Sequence, residues 1–585
     1  MVTEVIEVEY ASISQIKVVT RKSSFRNEGR FFYILEGMVV MNRKIKSVVV
    51  VLGLLILSGC GSQATAGSNT KLAKNQVLNW TESSELATAD LSQATDTLSF
   101  NTLMNTQEGL YRLNSKGTPK GALAAKTKVT NGGKTYTFTL RKGAKWSNGD
   151  AVTAQDFVYS WRRTVNPKTA SQDAFYFYQV KNAEAINNGK KSVKTLGIQA
   201  TGKYKLTVSL TKPVSYFKKL LAWPLFYPLN QTIVNKYGKK FGTEAKYTVS
   251  DGPFKLANWN GQSKKWTLVK NNKYWDKKAV HLTKINELVT ESTTTSYNLF
   301  NAKQTDETLL SGQQVKNNKN NADFVKRLPT ATARLELNQN KVKAFKNVNV
   351  RRAFSLAINR KQLTNDVLQD GSEPLKGFVP SGMGNNPKTG ESFDKEAYVK
   401  SAVSSDLAKA KQLLKKGYQQ TGVKNIKVTL LTSDTDSSKQ TAEFLQTELD
   451  RLPNVKVSIS TIPFVQLISK QNEKNYEATI QTWQSVFADP INFLDVYESG
   501  SSYNTSGYKN KTFDKLLDES ENDYGNQPEK RWAKLVAAEK LLMSDQGTIP
   551  LYQVAKSQLL RSNVKSVVYN PAGVPYDWKT TYITK

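Results

Sequence analysis

Hydrophobic and polar residues alternate most strictly where Tyr136, Phe138 and Leu140 are separated by threonines. This period of two predicts a half-buried strand. After the turn sequence "SNGD", Thr153 stands at the position of a helix cap. The apolar residues that follow recur at helical spacing: Phe157, Val158 and Trp161. The pattern therefore predicts a strand followed by a capped helix.

A second pattern, in residues 427–464, has the form strand, helix, strand. Two segments rich in valine, leucine and isoleucine flank a stretch whose apolar residues share one helical face: Ala442, Leu445 and Leu449. Nearer the N-terminus, a strand at 77–81 leads through a loop rich in Ser, Thr and Asp to a helix with leucines on one side: Leu98, Leu103 and Leu110. This alternation of strands and helices is typical of α/β folds.

The only cysteine of the chain, Cys60, ends a short apolar run. Three basic residues within 43–46 precede ten residues, 48–57, that are apolar apart from one glycine. A basic segment before an apolar run too short to span a bilayer is typical of a signal peptide. The sequence "LSGC" resembles the lipobox of bacterial lipoproteins, which implies that Cys60 is lipidated and that residues 41–59 are removed. The alternative is a buried structural cysteine after an uncleaved anchor.

Residues 1–40 show no sustained period of either strand or helix. Because the basic segment of a signal peptide normally begins at the initiator methionine, we predict that residues 1–40 are a non-native upstream extension and that Met41 is the true start. A peptide from residues 1–30 found in cells would contradict this prediction. After the cysteine, residues 60–75 are small and polar, and we predict a flexible tether there.

The chain is strongly basic, with 83 Lys and Arg against 49 Asp and Glu and a net charge of +34. Because the lysines are scattered and no nucleic-acid-binding motif is present, solvated cationic faces are favoured over a nucleic-acid site. The more plausible partners of this diffuse positive charge are the anionic membrane and cell wall, or acidic peptides. One histidine, His281, and one cysteine cannot form a Cys/His zinc site, and we expect no metal and no cofactor. No nucleophile and base can be recognised. A carboxylate pair of the glycosidase type stays open, but we predict that the protein is not an enzyme.

The block "TYTFTLRKGAKWSNGDAVTAQDFVYSWRR" closely resembles a signature of the extracellular solute-binding proteins of the oligopeptide-binding family, which are the receptors of peptide ABC importers. Three further blocks resemble the family in the same order: "VSDGPFKLANWNGQSKKWTLVKNNKYWD", "LELNQNKVKAFKNVNVRRAFSLAINRKQL" and "TWQSVFADPINFLDVYESGSSYN". The resemblance runs from about residue 76 to residue 583.

The resemblance implies a three-domain α/β fold, a clamshell like that of periplasmic binding proteins, whose two lobes close on a hinge. It implies that an extended oligopeptide binds between the lobes and is delivered to the permease subunits of an ABC transporter. A monomer is expected, held by its N-terminal lipid on the extracellular face of the cell membrane of a Gram-positive host. The implied boundaries are domain I in three parts (76–104, 226–332 and 556–585), domain II (105–225) and domain III (333–555).

A receptor that accepts many peptides must bind the main chain that they share. In this family two short segments provide those backbone hydrogen bonds. By position they correspond to Thr95, Asp96 and Thr97, and to Trp483, Gln484 and Ser485. Asn298 also matches a binding-site asparagine of the family by its spacing to Asp306.

One position departs from the family pattern. Members that bind zwitterionic peptides tightly often carry an aspartate where this chain has Val486. Because a buried ammonium group without a partner is costly, either Asp96 or Asp489 takes that role or the ligand's N-terminus is not anchored at this place. The second option allows long, N-blocked or non-peptide ligands. We expect Val486→Asp to tighten the binding of short peptides with a free amine.

Two other functions stay open. A receptor of this kind can serve signalling peptides or pheromones, and its ligand range would then be narrow. A basic cell-surface adhesin with a degenerate binding site would agree with the high positive charge and with Val486. High salt should abolish its binding to the wall, because exposed charges are screened beyond ~10 Å.

Overall fold

The computed structural model of the chain describes residues 71–585, except residue 291, together with three strands nearer the N-terminus. These residues belong to two compact units, 1–71 and 72–585, and each unit is described by itself. The predicted signal peptide, the predicted lipidation site Cys60 and residues 61–70 of the predicted tether lie outside the described residues.

The first unit contains three antiparallel strands: Glu4–Glu7, Val18–Asn27 and Arg30–Val39. The two longer strands pair along their whole length. No sustained period marks residues 1–40, so this sheet is not predicted from the sequence. These strands are rich in β-branched and aromatic residues, which favour strands even where no alternation is present.

The second unit contains a six-stranded sheet, and we call the part of the molecule around it the second lobe. Its strands, in spatial order, are Glu373–Pro374, Ile549–Gln553, Ala331–Leu337, Ala478–Gln484, Ile426–Ser433 and Val455–Ile462. The last two strands are parallel and are joined by the helix Asp436–Leu449. Ala442, Leu445 and Leu449 are buried on that helix, so the strand, helix, strand prediction is confirmed.

Two four-stranded sheets belong to the other part of this unit, which we call the first lobe. One is antiparallel, with the order Ala124–Thr130, Thr135–Leu140, Lys205–Ser209 and Ile198–Gly202. Its second strand buries Tyr136, Phe138 and Leu140, as the alternation predicts. The helix Ala154–Val165 follows, and Thr153 and Asp156 form a capping box at its start. The predicted strand and capped helix are both confirmed.

The other sheet of the first lobe joins distant parts of the chain. Its order is Phe254–Ala257, Lys265–Lys270, Lys284–Val289 and Val77–Glu82, and the last two strands are parallel. Segments from the end of the chain pack beside it, since Gln76 Nε2 donates to the carbonyl oxygen of Ile583 at 2.8 Å. The smaller strands of this lobe are Glu307–Leu309, Phe324–Arg327 and Lys556–Leu560, and the paired short strands Tyr111–Leu113, Pro119–Gly121, Val564–Lys565, Val568–Tyr569, Tyr576–Asp577 and Tyr582–Ile583.

The remaining α-helices cover the sheets of both lobes. They are Thr97–Thr106, Ala183–Asn187, Phe217–Leu220, Gln231–Tyr237, Thr293–Asn301, Gln313–Asn318, Val348–Ala357, Arg360–Gln362, Phe393–Glu396, Lys400–Val403, Leu407–Thr421, Phe464–Asn472, Ile491–Leu494, Lys511–Asp518 and Pro528–Ser544. Within the described part of the chain, none of the helices has the length and apolar character needed to cross a membrane.

Candidate functional site

The helix Thr97–Thr106 begins at the boundary between the two lobes. Asp96 caps it, because its Oδ1 atom accepts a hydrogen bond from the N–H of Ser99 at 2.8 Å. The N–H groups of Thr95, Asp96 and Thr97 donate to no protein group among the described residues. These three donors are therefore free to bind a ligand.

Across the boundary, the strand Ala478–Gln484 presents an open edge. One edge pairs with Ala331–Leu337 along its length, whereas on the other edge the strand Ile426–Ser433 is in register only with Ala478 and Thr479. Residues 481–484 thus have no strand neighbour on that edge within the described chain. A strand edge of this kind can accept an extended peptide by main-chain hydrogen bonding.

The backbone of Ser485 is already used within the protein. Its N–H donates to the carbonyl oxygen of Thr330 at 3.1 Å, and its carbonyl oxygen accepts from the N–H of Gly573 at 3.0 Å. Because successive residues of a strand direct their backbone groups to opposite edges, those of Gln484 point to the open edge. The backbone of Gln484, and not that of Ser485, is therefore available to a ligand.

A cavity of about 240 Å³ lies between these two segments, and we call it the cleft cavity. Six of the residues predicted from the sequence line it: Thr95, Asp96, Thr97, Gln484, Ser485 and Val486. Its other lining residues are Phe100, Asp173, Tyr176, Trp223, Gly573 and Val574. The fold thus brings both predicted segments to one cavity.

A second cavity, of about 310 Å³, adjoins the first, because Trp223, Val486, Gly573 and Val574 line both. We call it the lysine cavity. Its charged lining residues are Lys116 and Lys219, and its lining contains no Asp or Glu. The remaining lining residues are Met104, Leu113, Ser115, Gly117, Ala222, Gly382, Gly384, Asn385, Phe487, Ala488, Asn570, Pro571 and Ala572.

A third cavity, of about 200 Å³, lies within the first lobe and shares Asp96 and Thr97 with the cleft cavity. Glu82, Glu307 and Lys556 also line it, and we call it the glutamate cavity. Burial raises the pKa of Glu82 to about 8, and it does the same for the pKa of Glu307. Glu307 Oε2 accepts a hydrogen bond from the Thr81 hydroxyl at 2.8 Å. Carboxyl groups with these pKa values are largely protonated at neutral pH.

The other residues predicted from the sequence lie outside the linings of these cavities. Trp483 is half-buried, and its indole N–H donates to the carbonyl oxygen of Asn492 at 2.8 Å. Asn298 is exposed on the helix Thr293–Asn301. Asp489 is buried, and its carboxylate accepts two hydrogen bonds from Arg531, at 2.8 and 3.0 Å. The structure therefore does not place Trp483, Asn298 or Asp489 on the cavity walls.

Val486 stands at the border between the cleft cavity and the lysine cavity. Its N–H donates to Asn492 Oδ1 at 3.0 Å, which fixes the turn after the strand. The side chain is half-buried and presents only apolar surface to both cavities. This position cannot hold an ammonium group by charge.

The two lobes touch beside the cavities. The rings of Tyr216, from the first lobe, and Phe487, from the second, stack with centroids 4.5 Å apart and an angle of 11° between their planes. Lys219 Nζ donates to the carbonyl oxygen of Ala488, and burial lowers the pKa of this lysine. The Tyr216 hydroxyl donates to Glu521 Oε2 at 3.4 Å. These contacts join the first lobe to the second beside the cavities.

Several residues of the cleft cavity were not predicted from the sequence. Asp173 and Tyr176 come from the segment "DAFYFY", whose density of aromatic residues in a polar region is the one signal that marks it. Gly573 and Val574 come from the last residues of the chain. These segments meet only through the tertiary fold, so neither spacing nor periodicity indicates that they share a site.

The fold and the cleft define a two-lobed binding protein. Residues 118–505 match the family described as "Bacterial extracellular solute-binding proteins, family 5 Middle". The chain belongs to this family. The implied α/β clamshell fold is confirmed, because solved structures of the family align with nearly the whole second unit.

Individual relatives support the same assignment. The "Dipeptide-binding protein" of Lactococcus lactis is 34% identical over 92% of this chain and 98% of the relative. A structure described as Listeria monocytogenes OppA bound to peptide is 37% identical, with a TM-score of 0.72 over 88% of this chain and 100% of that one. A structure described as showing the mode of peptide binding of the pheromone receptor PrgZ is also 37% identical. It aligns with a TM-score of 0.73 over 87% of this chain and 100% of that one.

Proposed function

We propose that the protein is a lipid-anchored extracellular receptor that binds extended oligopeptides between its lobes and delivers them to the permease of an ABC importer. The observation that carries the proposal is the cleft cavity, which places free backbone donors of Thr95–Thr97 opposite the open strand edge at Gln484. Donors and a strand edge facing one cavity suit a main chain, which every peptide offers. Relatives named for dipeptide and oligopeptide binding support this choice of ligand.

In the proposed mechanism, a peptide enters between the open lobes and adds a short strand to the edge at residues 481–484. The donors of Thr95–Thr97 bind it from the first lobe. Closure then forms the stack of Tyr216 on Phe487 and presents a closed surface to the permease. Main-chain binding with roomy cavities for side chains would let one receptor serve many sequences.

The first experiment is native mass spectrometry of the chain from residue 61, which contains the whole second compact unit, purified from a peptide-rich medium. Bound material is then released and sequenced. A mixture of peptides is the expected result. Protein that carries no peptide and also fails to bind an added tryptic digest would contradict the proposed function.

A narrower function is a receptor for a signalling peptide. The similarity to the pheromone receptor PrgZ, at 37% identity, is the observation that favours it. The same experiment separates the two, because a signalling receptor would release one peptide and a nutrient receptor would release a mixture. An adhesin would carry no peptide, and its binding to cell walls would be lost at high salt.

The membrane anchor and the division into domains are parts of the proposal. Lipidation of Cys60 would hold the receptor at the membrane surface, and domains I, II and III would have the boundaries given above. Growth with an alkyne fatty acid should label the wild-type protein, whereas Cys60→Ser should stay unlabelled and pass into the medium. Labelling of the Cys60→Ser variant would contradict the anchor.

A further inference from the structure

The cleft cavity has an unusual charge for this molecule. The chain carries 83 Lys and Arg against 49 Asp and Glu, yet the lining of the cleft cavity contains Asp96 and Asp173 and no Lys, Arg or His. The adjoining lysine cavity has the opposite composition, with Lys116 and Lys219 and no carboxylate. Along the boundary between the lobes, positive charge on a ligand is therefore favoured in the first cavity and disfavoured in the second.

The two carboxylates of the cleft cavity are not equivalent. Asp96 already accepts a hydrogen bond from Ser99 as a helix cap. Asp173 precedes the short helical turn Ala174–Phe177 without capping it, and among the described residues its carboxylate has no hydrogen bond and no ion pair. Burial alone raises the pKa of Asp173 to about 6. A half-buried carboxylate that has lost water and gained no donor is ready to accept one from a ligand.

Aromatic side chains line the same cavity as this carboxylate. Tyr176 and Trp223 line the same cavity, and their rings meet edge to face with centroids 4.7 Å apart. The charge of Asp173 contributes to raising the pKa of Tyr176, after burial, and it also contributes to raising the pKa of Tyr503 in the second lobe. The charge of the carboxylate therefore acts on phenol groups of both lobes. Aromatic faces next to a carboxylate favour an ammonium or guanidinium group.

Two other positions offer no free carboxylate to a cationic group of a ligand. Val486 has no charge, and beyond it the lysine cavity offers only cations. The carboxylate of Asp489 is held by Arg531 on both oxygens. Asp173 remains as the carboxylate that both faces the cleft and has no protein partner.

We propose that Asp173 accepts the cationic group of the bound peptide, namely its α-ammonium group or the side chain of a lysine or arginine. This inference rests on the proposed function, because it assigns the charge recognition of the same cleft. It places the anchor on the first lobe, on the other side of the cleft cavity from Val486.

The test compares three probes: tetra-alanine, N-acetyl-tetra-alanine and N-acetyl-Ala-Lys-Ala-Ala. Their affinities are measured by calorimetry for wild-type protein, Asp173→Asn, Asp173→Glu and the control Asp366→Asn. The control removes one negative charge from an exposed residue outside the three cavities. Asparagine preserves the shape of aspartate, and equal thermal midpoints for all four proteins verify that the variants fold.

If Asp173 binds the α-ammonium group, Asp173→Asn should weaken tetra-alanine at least tenfold and change N-acetyl-tetra-alanine by less than twofold. If it binds a cationic side chain, the large loss should appear with N-acetyl-Ala-Lys-Ala-Ala. In either case Asp173→Glu should recover part of the affinity, and Asp366→Asn should match the wild type. Equal losses for all three probes, or no loss for any, would overturn the proposal.

Failure of the proposed function would look different. Wild-type protein would then bind none of the three probes and no component of a tryptic digest. If only the role of Asp173 is wrong, the wild-type protein still binds the peptides, and Asp173→Asn binds them as the control Asp366→Asn does.

Discussion

Two groups of buried carboxylates in this molecule have contrasting surroundings. Asp489 and Glu521 share the guanidinium of Arg531, with N–O distances between 2.7 and 3.1 Å. Glu307 is buried and Glu82 is half-buried at the glutamate cavity, and neither has an ion-paired cation among the described residues. Burial first, and then the charge of these two neighbours, raises the pKa of Glu287 well above its usual range.

The difference shows what burial does to a carboxyl group that is ion-paired with a cation and to one that is not. Beside Arg531 two carboxylates share one cationic partner, and the cluster can serve as a fixed contact near the junction of the lobes. Around the glutamate cavity the groups give up their charge and take protons instead. The stability that the first cluster contributes should therefore depend on Arg531, and the stability that the second contributes should depend on pH.

The largest effect is expected from removing the arginine. Arg531→Met keeps an apolar stem of similar length but leaves Asp489 and Glu521 buried without a cation, so the free energy of unfolding should fall by about 3–5 kcal/mol. Urea unfolding at pH 7 measures it. Lys534→Met, which removes a surface partner of Glu519, is the control and should change stability far less. Equal effects of the two variants would show that the buried cluster has no special dependence on its cation.

The next effect concerns pH. In the folded protein the pKa of Glu307 is raised to about 8. The contribution of protonated Glu307 to stability is therefore fully present below the pKa that this side chain has in the unfolded chain, and it is lost as pH rises through 8. The free energy of unfolding should fall by roughly 2 kcal/mol or more between pH 5 and pH 8 on this account. Glu307→Gln, which imitates the protonated acid, should reduce that fall. Unfolding curves with unchanged pH dependence in the variant would speak against a protonated Glu307.

A smaller effect is expected at the contact between the lobes. Tyr216→Ala removes the stack on Phe487 and the hydrogen bond to Glu521, so the closed arrangement should be less populated. Peptide affinity should fall about tenfold, which corresponds to ~1.4 kcal/mol, and small-angle scattering should show a larger radius of gyration. Tyr418→Ala, which removes a tyrosine from a helix of the second lobe, is the control. An unchanged radius of gyration and affinity in Tyr216→Ala would mean that this stack does not hold the lobes together.

The smallest effect is expected at the border of the two cavities. Val486→Asp adds a carboxylate there, and the family pattern implies tighter binding of short peptides with a free amine. If Asp173 already accepts the ammonium group, the gain in tetra-alanine affinity should stay within about threefold (~0.7 kcal/mol). Calorimetry on wild type and variant measures it. A gain of tenfold or more would place the ammonium group at position 486.

The local sequence pattern was sufficient to predict elements that interactions between neighbouring residues determine. The alternation of Tyr136, Phe138 and Leu140 and the capping box at Thr153 lie within one strand and one helix, and both predictions are confirmed. The sheet within residues 1–40 was missed, because its strands lack a clean period.

The site was harder to predict, because its walls come from segments far apart in the chain. Motif position indicated Asp96 and Gln484, and both line the cleft cavity. It could not indicate Asp173, which lies in a turn without a motif. Nor could it show that Asp489 is occupied by Arg531, 42 residues further along the chain. Roles in ligand binding stay predictions for all of these residues until binding is measured.

The junction of Gln76 with Ile583 has a consequence for how the molecule assembles. A chain that emerges N-terminus first, from a ribosome or through a membrane, carries the two partners of this contact at opposite ends. The second lobe is built from residues between them and can form earlier, whereas the first lobe and the Gly573–Val574 wall of the cavities must wait for the last residues. Until those residues are made, the cleft cavity and the lysine cavity each lack part of their walls.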